Sequence, residues 1–186
     1  MPVSWLRTLN ALAGLGIAGI LAFAFLWQIV LEELPCPLCL LQRLAFVAIG
    51  FGICLNIRAG LRPSHFGVIL LGALYGVLTS SRQVMLHIVP GSGAYGSPLW
   101  GLHFYSWALL AFLAVILLVA LVLFLFGAAV AEAPPADAAM AADPGWLGRI
   151  AFFAVAGMTL VTLLAAFAEC GFSECADNPV SYWLFG

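Results

Sequence analysis

The chain has 186 residues, of which 65% are hydrophobic and only 8% charged, and its formal net charge is -2. Soluble domains are about one quarter charged, so this composition excludes a water-soluble enzyme, a disordered linker protein and a fibrous protein. Six basic residues against eight acidic ones leave no basic patch to neutralise phosphates, which excludes a nucleic-acid-binding protein. The class that remains is an integral membrane protein that folds as an all-α, polytopic helical bundle in the lipid bilayer.

Five apolar stretches are each long enough to cross a bilayer, which takes about 20 residues. The first lies between Arg7 and Glu32, and its length favours an uncleaved helix over a signal peptide. The other four stretches are residues 40–57, 66–89, 102–130 and 149–169. The sequence therefore predicts a four-helix transmembrane core over residues 1–130 and a fifth transmembrane helix with a tail over residues 146–186.

An Ala- and Pro-rich acidic segment, residues 131–145, separates the fourth and fifth stretches. It can bury no core, so we expect a flexible linker there. If every stretch crosses the membrane once, four of the six basic residues fall on one side: Arg7, Arg58, Arg62 and Arg149. The positive-inside rule makes that side the cytoplasm, which places the N-terminus and the linker inside and the C-terminal tail outside.

This topology places four of the five cysteines on the outer side. Cys36 and Cys39 lie in the first outer loop, and Cys170 and Cys175 follow the fifth stretch. The outer compartment of a bacterial inner membrane is oxidising, so we expect disulfides there. Cys54 lies in the middle of the second stretch, where an apolar packing role is more typical than a redox role.

A Cys-x-x-Cys loop serves as a zinc site, as a structural staple or as a redox pair. Zinc requires four ligands in tetrahedral geometry, and the Cys-x4-Cys of the tail supplies the missing two poorly. A staple across two residues closes almost no loop and gains little entropy. The spacing of Cys36 and Cys39 therefore favours a redox pair, and we predict no metal site.

The residues after this pair favour a thiolate. Cys39 lies in the first turn of the predicted second helix, where unpaired N–H groups attract an anion. Arg43 follows one turn deeper on the same face, so the helix terminus and the guanidinium together favour a thiolate at Cys39. The alternative role for Arg43 is an interfacial anchor whose charge reaches back to water.

The run Pro-Cys-Pro-Leu-Cys-Leu-Leu-Gln-Arg at residues 35–43, with Gln28 eight residues before Cys36, resembles the signature of the bacterial disulfide-bond formation protein B family, DsbB. Residues 82–90 and 101–107 are similar to the end of that family's third helix and the entry to its fourth. The resemblance covers about residues 8–130. It implies a protein of the bacterial inner membrane that oxidises a periplasmic thioredoxin-like protein of the DsbA type and passes two electrons to a quinone, ubiquinone or menaquinone.

The resemblance also implies roles for individual residues. Cys36 and Cys39 would form the pair that faces the quinone, and Arg43 would contact the quinone. Three further residues are implied to lie near it: Gln28, Arg82 and Gln83.

One departure from the family pattern concerns the second cysteine pair. In the best-known members this pair lies in the outer loop between the third and fourth helices, and here that loop has no cysteine. We expect Cys170 and Cys175 in the tail to take over the exchange with the partner protein. The alternative is that they form a structural staple of the tail.

Two other functions remain open at this point. A quinone-linked oxidoreductase of the vitamin K epoxide reductase type also combines a helical bundle with Cys-x-x-Cys, but its pair is expected late in the bundle. A non-enzymatic membrane protein stapled by two disulfides would show no turnover. The glycines at positions 14, 16 and 19 lack the strand context of a nucleotide site and predict close helix packing instead.

Overall fold

The computed structural model describes residues 3–89, 91–132 and 143–184. These residues form five long helices, namely α1 (Val3–Val30), α2 (Pro37–Ala59), α3 (Pro63–His87), α4 (Phe104–Ala131) and α5 (Gly145–Cys170). Each helix is long and apolar enough to cross a membrane, which confirms the predicted all-α, polytopic bundle with a fifth helix. The predicted linker over residues 131–145 lies mostly outside the described residues, since 133–142 are not among them.

Prolines and a glycine set the boundaries of the two central helices. Pro37 and Pro63 stand in the first turns of α2 and α3, where the missing N–H of proline costs no hydrogen bond. Gly60 follows α2 with φ of 80°, a conformation that favours glycine. The connection between the two helices is therefore short, and α2 and α3 pack antiparallel.

The first four helices pack in chain order, and α5 returns to pack against α1 and α2. The centre of the bundle is tightly filled where Phe112 of α4 stacks on Phe46 of α2, with ring centroids 4.2 Å apart. Gly76 of α3 makes room for this ring, because a Cβ there would come within 2.5 Å of Phe112. These contacts join α2, α3 and α4 into one core.

The glycines of α1 serve two purposes. A Cβ on Gly14 would lie 3.1 Å from the side chain of Ile53 and 3.5 Å from that of Ala151, so the predicted close packing holds at this position. Gly16 and Gly19 face open space instead, which makes the packing prediction wrong for them. Both line a cavity between α1 and α4.

Helices α1 and α4 meet through long aromatic side chains. The Phe104 ring lies 5.2 Å from Trp27 and 6.0 Å from Phe23, centroid to centroid. The backbones of the two helices therefore stay apart, which leaves the space for the cavity. This space lies at the end of the bundle where α1 finishes and α2 begins.

Candidate functional site

The Cys36–Cys39 pair sits at the start of α2. Cys36 is the N-cap residue, and its Sγ accepts a 3.2 Å hydrogen bond from the backbone N–H of Cys39. Both cysteines are free thiols, with their sulfur atoms 2.6 Å apart. The sequence predicts that the helix terminus acts on Cys39, and the structure shows a helix-terminal hydrogen bond to Cys36 as well.

Gln83 of α3 holds both sulfurs from the opposite side. Its side-chain amide donates to Cys36 Sγ at 3.2 Å and to Cys39 Sγ at 3.5 Å. Its amide oxygen accepts a 2.7 Å hydrogen bond from the side chain of Gln42 and lies 3.9 Å from Cys39 Sγ. Gln83 is only 1% exposed, so its N–H groups act on the pair without competition from water.

The two thiols of the Cys36–Cys39 pair differ in how strongly they hold a proton. The pKa of the Cys36 thiol is raised well above its usual range, first because its proton is shared with the Cys39 sulfur and second because Cys36 is buried. A proton left on the reduced pair therefore stays on Cys36. The remaining negative charge falls on Cys39, which also interacts electrostatically with Arg43.

Arg43 points into the bundle, not toward water, which argues against the interfacial anchor. Its guanidinium donates to the side-chain oxygen of Gln28 at 2.6 Å and to the backbone oxygen of Ala24 at 3.2 Å. Gln28 is 3% exposed, so this contact lies inside the protein. The structure thus brings Arg43 and Gln28 together, one helical turn below Cys39.

A cavity of about 530 Å³ opens beside these residues. Its walls come from α1, α2, α4 and the two loops at this end of the bundle, and Cys39, Gln42 and Arg43 line one side. Most of the other lining is apolar and aromatic, from Phe23, Trp27, Phe104, Tyr105 and Trp107. The volume is typical of a small-molecule site.

The cavity suits a quinone on two counts. Its aromatic walls match a planar apolar ring, and Arg43 in its lining offers a hydrogen-bond donor to a ring oxygen. Trp27 also lines the cavity, and its buried indole N–H has no hydrogen-bond partner among the described residues. Arg43 and Trp27 would therefore hold a quinone, with Cys39 beside the ring.

The loop between α3 and α4 clamps the cysteine loop in place. The Tyr95 hydroxyl donates a 2.6 Å hydrogen bond to the backbone oxygen of Leu34, two residues before Cys36. The Glu33 carboxylate accepts hydrogen bonds from the backbone N–H and the hydroxyl of Ser97. No local motif in the sequence predicts these contacts, because the partners lie more than 60 positions apart in the chain.

The structure does not bring Arg82 to the site. Arg82 is exposed on α3 and is not among the cavity-lining residues, whereas its neighbour Gln83 is buried against the sulfurs. Adjacent helical residues point about 100° apart, since there are 3.6 residues in each turn, so the two side chains cannot share one direction.

Cys170 and Cys175 form a disulfide at the end of α5. Cys170 is buried and Cys175 is half-buried. The tail beyond them folds back, since the backbone N–H of Trp183 donates to the backbone oxygen of Glu169 at 3.2 Å. Tyr182 then reaches α1, where its hydroxyl accepts a 2.9 Å hydrogen bond from the side-chain amide of Gln28.

Both cysteine pairs therefore lie at one end of the bundle, and the contacts of Gln28 with Tyr182 and Arg43 connect the tail to α2. Within residues 3–89, 91–132 and 143–184, no hydrogen bond or disulfide links one pair directly to the other. The same residues contain no group of three His, Cys, Asp or Glu side chains that could hold a metal ion.

The fold and the site together define a multi-pass helical membrane protein with a partly buried Cys-x-x-Cys pair at a helix start. Residues 6–95 match the model of the family described as disulfide bond formation protein DsbB. The chain is similar to this family over that region, which holds Gln28, the cysteine pair, Arg43 and Gln83. The match does not reach α4, α5 or the tail disulfide.

Curated relatives show the same similarity. The chain is 38% identical over 99 residues to disulfide bond formation protein B of Hahella chejuensis, covering 48% of this chain and 58% of the relative. It is 36% identical over 90 residues to the protein of that name from Stutzerimonas stutzeri, covering 45% and 54% respectively. The chain thus spans little more than half the length of these relatives, and no solved structure matches it.

Proposed function

We propose that the protein is a membrane thiol:quinone oxidoreductase that supports disulfide bond formation. It reoxidises a thioredoxin-fold dithiol protein of the DsbA type and passes two electrons to a membrane quinone, ubiquinone or menaquinone. The observation that carries the proposal is that Cys39 and Arg43 line the same side of an apolar cavity of about 530 Å³. The similarity to the DsbB family over residues 6–95 supports it.

The proposed first step uses the tail pair. A thiolate of the partner attacks the Cys170–Cys175 disulfide, and the partner's second thiol resolves the mixed disulfide, leaving two thiols in the tail. The half-buried position of Cys175 in the tail supports attack there. Residues 146–186 would then be the part that meets the partner, with residues 1–130 as the part that meets the quinone.

In the second step, the tail dithiol reduces the Cys36–Cys39 pair by the same exchange. Gln83 donates to both sulfurs and Cys36 retains its proton, so Cys39 is the thiolate that faces the cavity. The bound quinone supplies the chemistry of a two-electron, two-proton acceptor. Arg43 serves twice, by favouring the Cys39 thiolate and by stabilising negative charge that develops in the cavity.

The proposal places the protein in the bacterial inner membrane with its N-terminus in the cytoplasm and both cysteine pairs in the periplasm. Basic residues support this orientation, because Arg7, Arg58 and Arg149 lie at the end of the bundle away from the cysteines. Labelling intact cells with a membrane-impermeant thiol reagent after mild reduction tests it. Labelling of Cys175 only after lysis would contradict the orientation.

The activity is tested with the full chain in lipid nanodiscs, a reduced thioredoxin-fold dithiol protein, and short-chain ubiquinone or menaquinone. We expect quinone reduction that depends on the dithiol and is abolished by Cys39→Ala. Cys54→Ala is the matched control and should keep full activity, because Cys54 lies away from the cavity. Absence of turnover with every quinone would overturn the proposal.

The role of the tail is tested by trapping. A partner that carries a single cysteine should form a mixed disulfide with Cys170 or Cys175, which mass spectrometry identifies. Capture at Cys36 or Cys39 alone would reduce the tail pair to a structural staple.

A further inference from the structure

Glu169 is a buried acid that the proposed reaction has not used. It is the second-last residue of α5 and is 7% exposed. Neither oxygen of its carboxylate has a hydrogen-bond partner among the described residues. A buried carboxylate without partners is costly as an anion, so its position requires either a nearby cation or a bound proton.

The groups that face Glu169 supply one cation and a competing acid. Arg43 and Cys39 of α2 both interact with it electrostatically. Tyr95, from the loop between α3 and α4, also feels its charge. From the tail, Tyr182 interacts with Arg43, and α1 contributes no charge at this end because its one charged residue, Arg7, lies at the other.

The Arg43 guanidinium therefore lies near two groups that can each carry a negative charge, Glu169 and Cys39. When Cys36 and Cys39 are joined in a disulfide, Glu169 is the anion that balances Arg43. When the pair is reduced, the Cys39 thiolate takes that place. Two anions beside one cation in a buried site repel each other, so formation of the thiolate favours a proton on Glu169.

From this arrangement we propose that Glu169 is a proton store for the Cys36–Cys39 pair, loaded when the pair is reduced and emptied when it is reoxidised. The inference rests on the proposed function for the direction of electron flow. Glu169 does not line the cavity. It acts on the cysteine pair through the charge of Arg43, so it is a positioning residue and not a catalytic one.

The steps balance in atoms and electrons. An incoming dithiol gives two electrons and two protons as the Cys36–Cys39 bond breaks and its own disulfide forms. One proton stays on Cys36, the other goes to Glu169, and Cys39 is left as the thiolate. On reoxidation by a quinone, the sulfur–sulfur bond forms again and two electrons leave. The protons of Cys36 and Glu169 leave with them, and Glu169 returns to its carboxylate.

The test uses the full chain without quinone. Dithiothreitol reduces the protein, and infrared difference spectroscopy records the change. We expect reduction to produce the band of a protonated carboxyl group in the wild type and in Glu169→Asp, at a shifted frequency in the latter. Glu169→Gln should lose this band, and Glu174→Gln, which removes an exposed acid of the tail, should retain it. A band that persists in Glu169→Gln, or no band in the wild type, would overturn the proposal.

A second readout separates charge storage from a structural role. The reduction potential of the Cys36–Cys39 pair is measured against pH, with mass spectrometry reporting the oxidation state of each pair separately. In the wild type, two protons accompany the two electrons. Glu169→Gln removes one of these protons, so the slope of the reduction potential against pH should fall by half. An unchanged slope in a folded Glu169→Gln variant would overturn the proposal that Glu169 stores a proton. If the wild type reduces quinone but shows no carboxyl band, the proton store is wrong and the proposed function stands. If it shows the band but does not reduce quinone, the proposed function is wrong and proton uptake by Glu169 stands.

Discussion

The side-chain amide of Gln28 donates a 2.9 Å hydrogen bond to the Tyr182 hydroxyl, across 154 positions of the chain. The amide oxygen of the same Gln28 holds the Arg43 guanidinium. The tail that carries one cysteine pair is therefore tied to the residue that serves the other. Arg43 orients the Gln28 amide, because a guanidinium only donates and therefore faces the amide oxygen, which leaves the N–H end for the tail.

We expect Tyr182→Phe to loosen the tail. The substitution removes one hydrogen bond and leaves a buried amide donor unsatisfied, which costs about 1–3 kcal/mol. Limited proteolysis and hydrogen exchange should show faster opening of residues 176–184. Tyr75→Phe, on an exposed face of α3, is the control and should leave the tail unchanged. Equal protection in both variants would contradict the role of Tyr182.

Arg43→Met should weaken quinone use more than it weakens folding. It removes the charged donor that lines the cavity, and a hydrogen bond from a charged group to a quinone oxygen would contribute about 1.5–3 kcal/mol. We expect the KM for quinone to rise at least about 10-fold, since about 1.4 kcal/mol corresponds to a factor of ten. Arg58→Met, at the far end of α2, should leave the KM unchanged. The role fails if both variants have wild-type kinetics.

The Cys39→Ala variant tests how the pair holds its protons. The pKa of the Cys36 thiol is raised chiefly by the proton shared with Cys39, and this cause disappears in the variant. The pKa of Cys36 should therefore fall toward its ordinary value, while burial keeps part of the increase. Alkylation of Cys36 by iodoacetamide, followed against pH, should shift to lower pH than in the reduced wild type. A shift to higher pH, or the same shift in Cys54→Ala, would contradict the assignment.

The helices could be predicted from sequence because charge and apolar length alone decide what crosses a bilayer. The local part of the site was also predictable, since Cys36, Cys39 and Arg43 occupy consecutive turns of one helix start. The roles of Glu169 and Trp27 could not be predicted from the sequence. They depend on buried polar atoms that have no hydrogen-bond partner among the described residues, and only the packing of distant helices determines that. Gly16 and Gly19 were misinterpreted for the same reason, since spacing does not tell whether a glycine faces a helix or a cavity.

Trp27 supplies a test of the cavity itself. Trp27→Phe keeps an aromatic wall and removes the indole N–H that has no partner among the described residues. A net hydrogen bond contributes about 0.5–1.5 kcal/mol, so quinone affinity should fall by up to about 10-fold. Isothermal titration with a short-chain quinone measures this. Trp5→Phe, near the other end of α1 against Phe126, should bind quinone as the wild type does. Equal affinity in both would mean that the indole N–H does not reach the ligand.

The packing that holds α3 against α4 predicts a steric effect at Gly76. Phe112 is fully buried and stacked on Phe46, so its ring cannot move away from a Cβ placed 2.5 Å from it. Overpacking of this kind costs about 1–3 kcal/mol, against about 1 kcal/mol that alanine gains over glycine in a helix. We expect Gly76→Ala to lower the thermal unfolding temperature in detergent. Gly127→Ala, in α4 with open space around it, should keep or raise that temperature. If Gly76→Ala unfolded no earlier than Gly127→Ala, the close approach of Phe112 to α3 would be wrong.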